Sequence, residues 1–313
     1  MKKTLLVAGL ASMLSTTAMA ENVGVSMALF DDNFLTVLRN GMTDYAATLD
    51  GVNVQVEDAG NDVGKQLDQV KNFIASGVDA IVVNPVDTSA TQAISDAAAA
   101  ANVPLVYVNR EPVNVDTLPD SQAYVASNDI ESGTLQTKEV CRLLKEAGKT
   151  EANILVIMGE LSNQAAVVRT KDIHDVIATD ECSFMKIVDE QTSNWQRDQA
   201  ANLMTNWLSS GVQFDAVIAN NDESAVGAIQ SMKAAGVGME DVVVAGIDAT
   251  QDALAAMAAG DLDVTVFQDA AGQGQGALDA ALKLAKGEAV EQKVYIPFQL
   301  VTPDNMQDFM AKN

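Results

Sequence analysis

The sequence predicts an α/β fold of two similar doubly wound parallel-sheet lobes joined by a three-strand hinge. Three observations predict it. Short apolar runs rich in β-branched residues alternate with stretches of helical period along the whole chain. Those runs end on hydrogen-bonding side chains, which is where an open parallel sheet meets its ligands. A helix and a strand then remain after Gln268, when the second half already has its strands, so the chain must cross back. Crossovers near Ser127, Gln268 and Phe298 divide the chain into residues 22–127 plus 269–298 and residues 128–268 plus 299–313.

Residues 1–20 read as a signal peptide outside the fold. Lys2 and Lys3 form a basic start, Leu5–Leu14 a short apolar core, and Ala18-Met19-Ala20 an A-x-A site with cleavage after Ala20. No later segment reaches the ~20 apolar residues of a membrane helix, so the expectation is a soluble protein exported to the periplasm.

In the first half, strands are expected at Asn22–Leu29, Val52–Glu57, Asp79–Asn84, Val103–Val108 and Ala123–Ser127. Helices are expected at Asn33–Thr48, Val63–Ser76 and Thr88–Ala101. Asp31 to Asn33 carry helix-capping chemistry, and Gly77 ends the second helix. The run VPLVYVNREP, Val103–Pro112, is the centre of this half: a fully buried strand that stops on Asn109 and Arg110. Arg110 brings five donors in a rigid fork and Asn109 two donors and an acceptor, a pair suited to neighbouring hydroxyls. The plainer reading of Arg110 is a salt bridge at a strand end.

The pattern starts over after Ser127. Helices are expected at Ile130–Ala147, Asn163–Ala178, Trp195–Ser209, Ser224–Ala235 and Thr250–Ala259. Strands are expected at Ala152–Met158, Phe184–Asp189, Phe214–Ala219, Asp241–Ile247 and Asp263–Phe267. The surplus piece is a helix at Ala270–Lys286, a strand at Lys293–Val301 and a terminal helix near Pro303–Met310.

The formal charge of -24, or -26 once the two leader lysines are lost, is spread along the chain and opposes nucleic acid and anionic membranes. A neutral small molecule is the simplest partner. The two cysteines, Cys141 and Cys182, match no zinc spacing, and export permits a disulfide between them. Sequence leaves open whether their Cβ atoms approach.

The motifs FDDNFLTVLRNGM, DAIVVNPVD, VPLVYVNREP, QAAVVRTKD, SNWQRDQAANLM, ANNDESAVGA, VVVAGIDAT and VTVFQD run in this order over essentially the whole chain after the leader. In this ordered set the chain is similar to the type I periplasmic sugar-binding proteins of ABC transporters, the ribose-binding protein group. Carried over motif by motif, the resemblance implies a ligand site made by Asp32, Phe34, Asn109 and Arg110 from one lobe. Arg169, Trp195, Asn221, Asp248 and Gln268 come from the other. Ribose binders have Asp where this chain has Asn109, a second aromatic where it has Leu35, and Phe where it has Ile247. The VNREP form, with GELSNQAAVVRT later, resembles the inositol-binding branch.

The implied function is the periplasmic solute-binding component of an ABC importer. It would be a monomer without cofactor or metal that takes a neutral sugar or cyclitol, myo-inositol ahead of pentoses and hexoses, and delivers it to an inner-membrane permease. Phe34 and Trp195 would sandwich the ring faces while the polar residues pair the hydroxyl edge. Each residue keeps a plainer reading: Phe34 as core, Arg169 as a solvated helix residue, Trp195 as packing, Asp32, Asn221 and Asp248 as helix caps. Two rival functions remain. An exported receptor for an autoinducer or for chemotaxis would use the same lobes and meet a chemoreceptor. An α/β enzyme acting on a sugar would need a motif that Phe30–Thr36, without glycine, does not supply. The run Gly272-Gln-Gly274-Gln-Gly276 is a weak phosphate signal, and the single His174 has no nucleophile motif beside it.

Overall fold

The computed structural model describes residues 20–312. The leader expected at residues 1–20 lies outside the described residues, apart from Ala20 itself. Among the described residues no helix is long and apolar enough to cross a membrane.

The first sheet is wholly parallel and is built from β1 (Glu21–Met27), β2 (Val52–Asp58), β3 (Ala80–Val83), β4 (Leu105–Val108), β5 (Gln122–Ala126) and β11 (Lys293–Tyr295). Its order is β2-β1-β3-β4-β5-β11. The central strands are short, β-branched and buried on both faces, as a sheet covered by helices on each side requires. On one face α2 (Val63–Ser76) and α3 (Thr91–Ala101) close over Ile81, Leu105 and Tyr107. On the other, α1 (Asn33–Ala47) and α9 (Ala270–Ala285) close over Val25, Val82 and Val106.

The Gly272–Gly276 run lies inside α9 and has a packing role there. A Cβ on Gly274 would stand 2.4 Å from the Leu38 carbonyl oxygen, so glycine lets α9 press against α1.

The second sheet, β7-β6-β8-β9, repeats the arrangement with β6 (Ala152–Met158), β7 (Met185–Thr192), β8 (Ala216–Ala219) and β9 (Val243–Ala245). Single bridges Ala245–Val264 and Asp248–Phe267 attach β10 (Thr265–Phe267), which pairs antiparallel with β12 (Gln299–Val301). Helices α4 (Asp129–Glu146) and α5 (Gln164–Ile177) cover one face. Helices α6 (Arg197–Ser210), α7 (Asp222–Ala234) and α8 (Gln251–Ala258) cover the other. The chain passes between the two sheets after β5, after β10 and between β11 and β12.

Several expectations from sequence change in detail. The strand expected over Lys293–Val301 is two strands, one for each sheet, parted by the crossover at Ile296-Pro297-Phe298. The terminal helix is only a 3-10 turn at Met306–Asp308, pinned by Phe309 against Phe267 with ring centroids 5.1 Å apart. Helix α6 starts at Arg197, because Asn194 and Trp195 both adopt left-handed backbone angles, φ 52° and 67°.

Cys141, on α4, is bridged to Cys182, in the turn after α5, with Cα atoms 5.8 Å apart. The bridge staples the α4–α5 layer to the base of β7. Constraining a 41-residue separation in the unfolded chain is worth about 4 kcal/mol in the loop-entropy account. Replacing both cysteines with alanine should lower the unfolding free energy by that scale, and the denaturant midpoint with it. Thiol titration of the unfolded, unreduced protein should find none, and an unchanged midpoint would contradict the staple.

Asp172 of α5 is 4% exposed and faces α4 at Gly133, and its Oδ2 accepts no hydrogen bond from the protein. Burial, with Asp175 adding, pushes its carboxyl up to about 7. The unfolded chain releases that proton near the ordinary aspartate value of about 4. Stability from this group is therefore full at low pH and falls as pH climbs from there through about 7. Asp172→Asn, isosteric with the protonated acid, should gain in Tm relative to the parent between pH 5 and pH 8. A Tm difference that stays constant across that range would count against the assignment.

Candidate functional site

One cavity lies between the two sheets, at the carboxyl ends of their strands. Its empty space, open mouth included, is about 420 Å³. All nine residues singled out from sequence line it: Asp32, Phe34, Asn109, Arg110, Arg169, Trp195, Asn221, Asp248 and Gln268. Leu35, Asn163 and Ala165 line it as well.

The first lobe supplies two loops. Asp32 is the N-cap of α1, its Oδ1 accepting from the Leu35 N–H at 2.8 Å, which aims Phe34 into the cavity one residue into the helix. The capping reading of Asp32 therefore holds together with its place in the wall. Arg110 is buried and donates from Nη1 to the Pro85 carbonyl at 2.9 Å. Burial lowers the Arg110 pKa, while Asp32 and Glu160 oppose that shift. Asn109 turns the chain at φ 68°, a conformation asparagine tolerates better than most residues. Its side chain does not face an open cleft freely. Nδ2 donates to Gln273 Oε1 at 3.2 Å and Oδ1 accepts from Asn84 Nδ2 at 3.3 Å.

The second lobe supplies five loops and one helix face. Arg169 is not a solvated helix residue. It is 4% exposed and donates to Asp129 Oδ1 from Nε and Nη2, to the Asn220 carbonyl at 2.8 Å and to Gln268 Oε1 at 3.0 Å. Its guanidinium also lies 5.8 Å from the Trp195 ring centroid, a cation–π distance.

Trp195 owes its position to two features. Its left-handed backbone is held by Asn221 Nδ2, which donates to the Trp195 carbonyl at 3.2 Å. Its ring lies where a Cβ on Gly159 would come within 2.2 Å. Asn221 is also the N-cap of α7, with Oδ1 accepting from the Ser224 N–H.

Asp248 does not cap α8; Thr250 does. Asp248 and Ala249 both have positive φ, 123° and 53°. Buried Asp222 holds this turn by accepting from the Thr250 N–H at 2.8 Å and from Thr265 Oγ1 at 2.8 Å.

The charges in the wall nearly balance: Arg110 and Arg169 against Asp32 and Asp248. Burial raises the pKa of Asp32 and of Asp248; at Asp248 Arg169 opposes the shift and Asp222 and Asp32 reinforce it. Burial likewise raises Asp129 against the pull of Arg169, and takes Asp222 to about 7. Two aromatic faces with a rim of mixed donors and acceptors suit a compact neutral molecule with many hydroxyls.

Among the described residues no group of three His, Cys, Asp or Glu side chains could hold a metal ion. His174 is exposed, outside the cavity, and bonded to Glu190 at 2.8 Å.

The lobes meet over the cavity. Thr88 donates from N and Oγ1 to the Ser162 carbonyl at 3.1 and 3.0 Å and accepts from the Gln164 N–H, while Asn33 Nδ2 donates to Glu223 at 2.8 Å. Sequence reasoning marks Leu35 only as a departure from ribose binders and passes over Asn163 and Ala165. The available signal for Asn163 was its place between a strand end and a helix start, in GELSN just ahead of QAAVVRT.

Comparison with known proteins places this architecture. The chain is 66% identical over its full length, and over the full length of the relative, to a protein of Rhizobium meliloti described as "Putative rhizopine-binding protein". It is 32% identical to a xylitol-binding protein of Mycolicibacterium smegmatis, over 93% of this chain and 80% of that one. Among solved structures it is similar to an ABC transporter solute binding protein from Bacillus halodurans with bound myo-inositol. That likeness has TM-score 0.87 and 41% identity, over 96% of this chain and all of the other. It also matches the Caulobacter myo-inositol binding protein bound to myo-inositol, with TM-score 0.83 and 29% identity over 94% and 97% of the two chains. Residues 23–289 match the family described as periplasmic binding protein domain. This chain belongs to that family.

Proposed function

We propose that the chain is the periplasmic solute-binding component of an ABC importer, and that it takes a neutral cyclic polyol in the cavity between its lobes. Myo-inositol is the favoured ligand, ahead of pentoses and hexoses. The observation that carries this reading is the cavity wall itself: hydroxyl-pairing side chains from both lobes converge on one buried space whose fixed charges nearly cancel. The relatives named for rhizopine and xylitol, and the structural neighbours holding myo-inositol, support the same ligand class.

Phe34 and Trp195 cover the two apolar faces of the ring, and Arg110, Arg169, Asn109, Asn221, Asp248, Asp32 and Gln268 pair the hydroxyls. A wall of buried polar groups rejects an analogue lacking one hydroxyl because the group it leaves behind is unpaired. Contacts from both lobes make the ligand bind the closed arrangement preferentially and shift the open–closed equilibrium toward it. The closed monomer then meets the permease, after export and removal of residues 1–20. Catalysis has no part in this reading.

Calorimetric titration of the purified protein against myo-inositol, rhizopine, xylitol, ribose and galactose tests it. Tight one-to-one binding of a cyclitol, with a smaller radius of gyration by X-ray scattering, is the expected outcome. Binding of none of the five would sink the proposal.

The wall also predicts a remote effect at Gly159. Gly159→Ala must displace the Trp195 ring, although Gly159 is absent from the cavity wall. It should weaken cyclitol binding by roughly 1.5 kcal/mol, about tenfold in Kd, the upper end of what a stacked aromatic face adds. Trp195→Ala should match or exceed that loss. Unchanged affinity in both variants would remove the ring from the site.

A further inference from the structure

The glycine run in α9 holds one residue whose side chain the packing of α9 on α1 does not explain. Gln273 stands between Gly272 and Gly274, fully buried, and is not part of the cavity wall. Its Oε1 accepts from Asn109 Nδ2 at 3.2 Å, and its Nε2 donates to Ser127 Oγ at 2.9 Å. The direction of these bonds follows from the backbone. A backbone N–H can only donate and a carbonyl can only accept. The Ala28 N–H meets Asn84 Oδ1 at 3.4 Å and the Val108 carbonyl meets Asn84 Nδ2 at 3.2 Å, so both ends of that buried amide are fixed. Asn84 Nδ2 also donates to Asn109 Oδ1 at 3.3 Å, which turns Asn109 Nδ2 toward α9. The group waiting there has to be an acceptor, and Gln273 Oε1 is that acceptor. Ser127 closes the series directly after β5, where the chain leaves for the second lobe.

We infer that Gln273 is a positioning residue for the ligand: acting through Asn109, it decides which way the amide in the cavity wall presents its donor and its acceptor. Each end of the Asn109 amide uses one hydrogen-bonding position on Asn84 or Gln273 and keeps its second for the cavity. With Gln273 Oε1 in place, a ligand hydroxyl meets a donor and an acceptor whose places are already set. Without it, the Nδ2 end has no partner and the amide is ordered from the Asn84 side alone. An aspartate at position 109 would have no donor to offer Gln273 Oε1, so the two amides are a matched pair. This inference rests on the cavity being a polyol site, and it puts part of that site's selectivity behind the wall, on a helix encoded late in the chain.

A double-mutant cycle on ligand affinity tests it. Wild type, Gln273→Met, Asn109→Ala and the double variant are titrated calorimetrically with myo-inositol. Thermal shifts at millimolar myo-inositol cover any variant too weak for calorimetry. Gln273→Met keeps the length and packing of the side chain and removes both polar ends. In the wild-type background it should weaken myo-inositol about fivefold, the scale of one neutral hydrogen bond. In the Asn109→Ala background it should change nothing, because the side chain through which it acts is gone. Should Gln273→Met fail to fold, Ser127→Ala, which releases Gln273 Nε2, takes its place in the cycle and should show the same dependence on Asn109. An equal loss in both backgrounds would mean that Gln273 only supports the packing of α9, and would overturn the inference. So would wild-type affinity in Gln273→Met. A wild type that binds no cyclitol overturns the proposed function and this assignment with it; wild-type binding with an additive cycle overturns this assignment alone.

Discussion

The buried guanidinium of Arg169 is the constraint on which the rest of the molecule depends. A cation out of water costs several kcal/mol unless its donors are met, and here they are met by groups from every part of the chain that joins the lobes. Asp129 lies just after the first crossover, Gln268 stands at the second, and the Phe298 ring at the third is 5.9 Å from the guanidinium. The Asn220 carbonyl brings in the end of β8, and Trp195 closes the remaining side. Removing the charge would leave Asp129 buried without its partner, so the hinge and the cavity floor share one electrostatic solution. Nearby, Asp222 does similar work for the strained Asp248 turn with hydroxyls and backbone N–H groups in place of a cation.

The two lobes repeat one plan. Strand orders β2-β1-β3-β4-β5-β11 and β7-β6-β8-β9, extended by β10 and β12, match position for position. That plan was legible because parallel strands buried on both faces are written as apolar runs with nothing polar until they end. Polar residues at those ends are equally visible: Asn109 and Arg110 stand out by themselves, Asn221, Asp248 and Gln268 are marked as ligand positions by the resemblance, and all five line one cavity. Arg169 was placed on a helix, but its burial was not legible, because period alone does not say which face of α5 meets the hinge.

What sequence did not carry was conformational. Nothing in SNWQRD announces two consecutive left-handed residues, since the φ of Asn194 and Trp195 is imposed by the Ser193 and Asn221 contacts from distant strands. The Lys293–Val301 run reads as one strand, because a crossover of three residues leaves little compositional trace. Asn109 looked like a free recognition group, and its ties to Asn84 and Gln273 needed the third dimension.

The placement of α9 and β11 has a consequence for how the chain acquires its shape. These two elements are encoded near the end of the sequence, yet α9 packs against α1 and the central strands of the first lobe, and β11 completes that sheet's edge. The lobe that begins first is therefore finished late. Until residues 270–295 arrive, this face of the first sheet has α1 but lacks the cover that α9 supplies, and its apolar strands stay open to misassociation. The second lobe waits for less: its helices, the four strands of its sheet and the disulfide lie between residues 129 and 258, and only β12 and the C-terminal turn at Phe309 come after the first lobe's last elements. Contacts of low sequence separation form sooner. The first lobe thus completes its core after most of the second is built, which orders the assembly of two domains that look alike.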